Sequence, residues 1–268
     1  LTGKAKAKNI VFVPGMFSVG DKVFINYLKI AEERGYESRA VNLWRDEKNN
    51  FARLGEIGLA DYVFDVEKQV EHFFPDEPYI IAGHSLGGLL SLLAANLGVI
   101  KPQAIILFNS AAPRGIPGLT SSVIWTFSDI LKETLWRNQP AKINFNKAKY
   151  ALFNLMPENK HLSTFRTLVP ESSRVIEQVG LWFLDFKKFS KVNGKNIKCD
   201  ILVIGAKQDR MTPVSVIRKI HHKLRKGVVP FFRVDYKEFS NHAHWVLAEP
   251  GWEDVINYAL NWLENPVK

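Results

Sequence analysis

Tyr79-Ile80-Ile81-Ala82-Gly83-His84-Ser85-Leu86-Gly87-Gly88-Leu89-Leu90-Ser91-Leu92-Leu93-Ala94-Ala95 is an apolar run, a serine flanked by glycines, and a second apolar run. The first run has the length of a buried strand and the second reads as a helix, so Ser85 is expected at a sharp strand-to-helix turn. A serine hydroxyl is a weak nucleophile. Held out of the regular backbone at such a turn, it is open to a base, and the helix N-terminus helps hold developing negative charge. The glycines have a steric reason: the turn brings strand and helix so close that a Cβ at 83 or 87 would collide, and Gly88 extends the same allowance. The bland alternative is a small-residue helix start packed closely on a sheet.

Working outward, the chain alternates. Residues 10–13 form an apolar, β-branched run ended by Pro14-Gly15, a helix is expected over 22–34 up to Gly35, and a strand over 38–43. A helix over 59–74 carries Tyr62, Val63, Val66, Val70 and Phe73 on one face, and Pro75 closes it. After the serine turn comes a strand over 104–108. The pattern resumes with a strand over 200–204, a helix over 214–224, a strand over 229–234 and a helix over 252–263. Strand and helix in alternation predict an α/β fold: a mostly parallel sheet covered by helices on both faces.

Between Pro113 and about Asn196 the alternation stops. Trp125, Phe127, Trp136, Phe145, Tyr150, Phe153, Met156, Phe165, Trp182, Phe183 and Phe186 recur at helix-like spacings broken by prolines. We expect a helical lid over 114–196, lying on the C-terminal edge of the sheet, within a single domain spanning 1–268. Those aromatics fit either a substrate pocket or the lid's own core.

Composition narrows the class. A chain of 268 residues with 46% apolar residues can bury a large core. No window approaches the roughly 18 uninterrupted apolar residues of a membrane span, and residues 1–8 lack the apolar stretch of a signal peptide. The chain starts at Leu1 rather than Met, which leaves an upstream segment open; a cytoplasmic location is the expectation, weakly supported by a single cysteine, Cys199. That thiol precedes an apolar run and reads as strand-edge packing. The net charge of +9 comes from dispersed lysines and arginines, with loose clusters at Lys187, Lys188, Lys191, Lys195 and Lys198 and at Arg218, Lys219, Lys223, Arg225 and Lys226. These read as solvated faces, and no nucleic-acid motif accompanies them.

An activated serine needs a histidine to take its proton and a carboxylate to orient that histidine. Asp209 lies just beyond the strand over 200–204, in a turn-rich segment leading to a helix, although it could merely cap that helix. Asp235 is a poorer choice, at a strand end. His242 and His244 both follow the last strand. Either histidine preserves the order Ser, Asp, His that this architecture requires. Two N–H donors for an oxyanion, worth about 3–4 kcal/mol each in the transition state, are expected from Leu86, the residue after the nucleophile, and Met16, in the turn after the first strand. No cofactor is expected, and His242-x-His244 lacks the further ligands of a metal site.

Val13-Pro14-Gly15-Met16, Gly83-His84-Ser85-Leu86-Gly87-Gly88 and the Asp209 and His244 loops together resemble the α/β-hydrolase superfamily, esterase and lipase type, over nearly the whole chain. The resemblance implies an α/β-hydrolase fold and a serine carboxylic-ester hydrolase with Ser85, Asp209 and His244 as its catalytic set. Members often follow the catalytic histidine with an aromatic residue and a short helix-bound segment, as in His244-Trp245-Val246-Leu247, which favours His244 over His242. Two departures stand out. Pro14-Gly15 replaces the His-Gly of many members, and Ser85 stands where the related epoxide hydrolases and haloalkane dehalogenases carry Asp. The expected partner is a small, apolar ester, with no nucleic acid and no stable membrane insertion. Thioesterase, amidase, lactonase or carbon–carbon hydrolase activity and non-catalytic ligand binding remain the alternatives.

Overall fold

The computed structural model describes residues 7–43, 51–135 and 137–265; Trp136 and the first six residues lie outside them. Six strands form one parallel sheet: β1 (Asn9–Val13), β2 (Glu37–Ala40), β3 (Tyr79–His84), β4 (Ala104–Phe108), β7 (Asp200–Ala206) and β8 (Val234–Phe239), in the order β2-β1-β3-β4-β7-β8. The central strands are buried on both faces, which is why they read as continuous apolar runs. Val11, Val13, Ile81, Ile105, Leu107, Ile201 and Val203 face one core, packed under α3 (Leu59–Phe73), α4 (Leu86–Leu97) and α9 (Val214–Gly227). The alternate residues Ile10, Phe12, Ile80, Ala82, Ile106, Phe108, Leu202 and Ile204 face the other, under α2 (Ile25–Glu33) and α10 (Trp252–Glu264). The expected helix over 22–34 is two pieces, α1 (Gly20–Val23) and α2, broken at Phe24.

One strand is displaced from its expected position. The apolar run over 229–234 is mostly a turn, closed by Phe232 N–H donating to the Val229 carbonyl at 3.0 Å. Pro230 has no N–H to give a ladder, and Phe231 is 80% exposed. The strand is instead the polar stretch Val234-Asp235-Tyr236-Lys237-Glu238-Phe239 at the sheet's edge, where partial burial on both faces weakens the alternation that marks a strand in sequence.

Between β4 and β7 the chain forms α5 (Ser121–Thr134), β5 (Pro140–Ala141), α6 (Phe145–Ala151), α7 (Glu158–Phe165), β6 (Glu171–Ser172) and α8 (Ser173–Gly180), with β5 and β6 pairing antiparallel. This insertion has its own core of Val123, Phe127, Ile130, Leu152, Phe153 and Ile176. Phe17 and Trp245, from loops at the C-terminal end of the sheet, join it. Among the described residues no helix is long and apolar enough to cross a membrane.

Candidate active site

Ser85 sits between β3 and α4 with φ 52° and ψ −118°. A non-glycine residue at positive φ is strained, and persists only where its surroundings over-determine it. They do so here. The Ser85 N–H donates to the Phe108 carbonyl at 2.9 Å, and its carbonyl accepts from Ala111 N–H at 2.8 Å and Gly88 N–H at 3.1 Å. A Cβ on Gly83 would stand 2.3 Å from the Gly87 carbonyl oxygen, and one on Gly87 would stand 2.0 Å from the Val13 oxygen. Gly88 is crowded by Ser110 instead, with its would-be Cβ 2.6 Å from Oγ.

Asp209 and His244 come together. His244 Nδ1 lies 2.8 Å from Asp209 Oδ2, with both side chains buried. The other carboxylate oxygen accepts from the Met211 and Thr212 N–H groups at 2.7 and 2.8 Å, while the Thr212 hydroxyl lies 2.7 Å from Oδ2. Burial alone would push the Asp209 carboxyl up, but the charge of His244 and the hydrogen bonds from His244 and Thr212 outweigh it and hold it below the usual range. An ionised Asp209 fixes the proton on His244 Nδ1 and leaves Nε2 as the basic nitrogen. Asp209 caps no helix, since α9 starts at Val214, with Pro213 at its N-cap.

The loop carrying His244 is braced from beneath. His84, the residue before the serine, places Nε2 2.8 Å from the His244 carbonyl, and its ring lies 4.8 Å from that of His244. Burial first, and the neighbouring His244 second, depress the His84 pKa to about 3. His84 is therefore neutral at ordinary pH and donates through Nε2. Asn109, itself at φ 46°, donates Nδ2–H to the Ala243 carbonyl at 2.7 Å. Sequence reasoning missed Asn109 and Thr212, which are small polar residues in loops with no local pattern to mark them. His242 takes a different partner, Glu249, at 2.9 Å. Asp235 accepts from Trp262 Nε1 at 2.6 Å, away from this site. The Cys199 thiol is buried, and burial pushes it up to about 12, consistent with packing.

Ser85 opens onto a cleft enclosing about 840 Å³, its open mouth included. Its wall includes Met16, Ile116, Val123, Phe127, Ile176 and Val179, and among the described residues no charged side chain lines it. Among the described aromatics of the insertion, Phe127 alone reaches this wall. Phe153 is buried in the insertion's own core, Phe145 stacks edge-on to Phe165, and Phe186 is exposed. Among the described residues neither the Met16 nor the Leu86 N–H meets an acceptor of the chain, and Ser85 Oγ makes no hydrogen bond to His244. Such contacts tighten in many enzymes only when substrate is bound. Among the described residues no group of three or more His, Cys, Asp or Glu side chains could hold a metal ion.

The fold, a parallel six-stranded sheet covered by helices on both faces, matches many solved structures. The chain has the α/β-hydrolase fold. A methylesterase from Arabidopsis superposes with a TM-score of 0.68 at 15% identity, covering 96% of this chain and 98% of its own. Tomato methylketone synthase I, in complex with 2-tridecanone, gives the same values. A pyrethroid hydrolase from Sphingobium faniae is similar at TM-score 0.68 and 16% identity, covering 96% and 98%. No protein-family model and no curated protein sequence matches the chain. The insertion, whose core takes in Phe17 and Trp245, occupies the end of the sheet where open α/β folds bind ligands.

Proposed function

We propose that the protein is a serine hydrolase that cleaves carboxylic esters with an apolar acyl or alcohol portion through an acyl-enzyme on Ser85. The observation that carries this reading is a buried Asp209–His244 pair, 2.8 Å apart, in the same loop layer as a strained serine that opens onto an uncharged cleft. Ser85 Oγ attacks the acyl carbon while its proton passes to His244 Nε2, and the Met16 and Leu86 N–H groups hold the oxyanion. The tetrahedral adduct collapses, and the departing alcohol takes the proton from His244. Water then gives a proton to His244 and attacks the acyl carbon. The carboxylic acid leaves, and the proton returns to Ser85.

The segment 114–196 acts as the lid over the cleft in this reading, within one domain. An apolar lining matches an uncharged substrate, because a buried carboxylate or ammonium would have no partner there. The neighbour held with 2-tridecanone gives an apolar precedent for the fold.

The test is mass spectrometry after fluorophosphonate treatment, alongside p-nitrophenyl esters of increasing chain length and matched thioesters and amides. Covalent labelling at Ser85, ester turnover that exceeds thioester and amide turnover, and loss of both in Ser85→Ala are the expected results. Turnover that survives Ser85→Ala overturns the assignment. Folded protein that binds apolar esters without label or turnover is a ligand-binding protein instead.

A further inference from the structure

We infer that Glu171, carried by the inserted segment, is the positioning residue of the oxyanion loop: its buried carboxylate holds the Met16–Phe17 backbone in the strained shape that presents the Met16 N–H to the substrate. This inference rests on the reading of Met16 as an oxyanion donor.

Phe17 is fully enclosed and sits at φ 62°, a left-handed backbone that a phenylalanine adopts only under constraint. The constraint comes from two residues of the insertion. Val169 N–H donates to the Phe17 carbonyl at 2.9 Å, and Glu171 Oε2 accepts from the Phe17 N–H at 3.2 Å. Both ends of Phe17 are thus held from outside its own loop. The peptide joining Met16 to Phe17 is one Cα away from the peptide carrying the Met16 N–H, so fixing one restricts the other. The Ser18 hydroxyl adds a bond to the Met16 carbonyl at 3.2 Å.

Glu171 is itself fixed. Its side chain has no solvent exposure, and Oε1 accepts from Tyr62 OH at 2.5 Å and from the Ser172 N–H at 2.7 Å. Tyr62 lies on α3, under the main sheet, so the carboxylate joins three separate parts of the fold. Its neighbour Ser172 donates Oγ–H to the Ile57 carbonyl at 2.5 Å, and Gln178 Oε1 accepts from the Leu59 N–H at 2.7 Å. This end of the insertion is therefore anchored to the start of α3. Converging donors need a group that only accepts. In Glu171→Gln the amide must present an NH2 to one of them, and keeping the oxygen on Tyr62 and Ser172 turns that NH2 against the Phe17 N–H.

The test compares wild type, Glu171→Gln and Tyr62→Phe for ester turnover per fluorophosphonate-titrated site, KM, and affinity for an alkylboronic acid, which mimics the tetrahedral adduct. A misplaced oxyanion donor costs about 100-fold. The expected result for Glu171→Gln is a fall of that order in kcat with KM within about 2-fold, and boronate affinity weakened by the same factor as kcat. Tyr62→Phe, which leaves the Phe17 bond but loosens the carboxylate, lowers kcat about 5-fold at unchanged KM. A merely structural role predicts fewer titratable sites and a lower melting temperature with kcat per site intact, and that result overturns the inference. If Glu171→Gln does not fold, unchanged kcat and boronate affinity in Tyr62→Phe overturn it alone. Wild type that turns over no ester removes the esterase reading and this inference together, whereas active wild type with indifferent variants removes only this one.

Discussion

His242 and Glu249 form a second buried imidazole–carboxylate pair, 2.9 Å apart, two residues along the chain from the His244–Asp209 pair at 2.8 Å. The same Glu249 oxygen accepts the Ala243 N–H at 2.7 Å. This pair braces the loop, whereas the Asp209 pair holds a ring 4.8 Å from that of His84. Glu249→Gln replaces one acceptor oxygen with a donor inside a fully buried site. We expect a stability loss of about 2–3 kcal/mol, read as a lower urea midpoint, with kcat per folded molecule reduced less than in Asp209 variants.

Asp209→Asn should act the other way round. An amide cannot hold the proton on His244 Nδ1 as a carboxylate does, so the ring loses its productive tautomer. Steady-state assays should show kcat down by about 10³-fold or more with KM little changed. A drop below 10-fold would mean that Asp209 does not orient the base.

His84 makes stability depend on pH in a defined direction. Its folded pKa, about 3, lies below the roughly 6.5 of an unfolded histidine, so the unfolded chain binds the extra proton between those values. Stability is therefore full above about pH 6.5 and is lost as pH falls toward 3. Asp209, held below its ordinary range, works in the same direction at lower pH. From pH 7 to pH 5 His84 alone accounts for about 2 kcal/mol. Urea titrations of His84→Gln at the two pH values should show the acid-induced loss reduced by that amount.

Val179 lines the cleft beside Ile176 and is only half-buried. Val179→Trp fills the cleft from its wall without touching Ser85, Asp209 or His244. The ratio of kcat/KM for p-nitrophenyl decanoate to that for the butyrate should fall about 10-fold or more, since each methylene a pocket rejects is worth about 1–3 kcal/mol. An unchanged ratio would place the acyl chain elsewhere.

The central strands and the serine elbow were legible because their causes are local. Strands buried on both faces must be apolar throughout, and a turn that brings backbone within contact at Gly83 and Gly87 admits no Cβ. The pairing of Asp209 with His244 joins a residue singled out by its place after a strand to one singled out by its likeness to a family pattern. Strand β8 was not, because edge residues such as Asp235, Lys237 and Glu238 carry little alternation and the nearby apolar run is broken by Pro230.

By itself, then, the sequence determined the alternation of strands and helices, the tight turn at Ser85 and the loop positions of Asp209 and His244. Each follows from residue chemistry over a few neighbouring positions. Only the tertiary structure decided which carboxylate each of His242 and His244 receives, which insertion aromatic faces the cleft, and that Glu171 reaches Phe17 and Tyr62. Those contacts join residues 7, 35, 154 and 109 positions apart. Packing and hydrogen-bond geometry act through space, and most of these pairs lie too far apart in sequence to leave a periodic or motif signal.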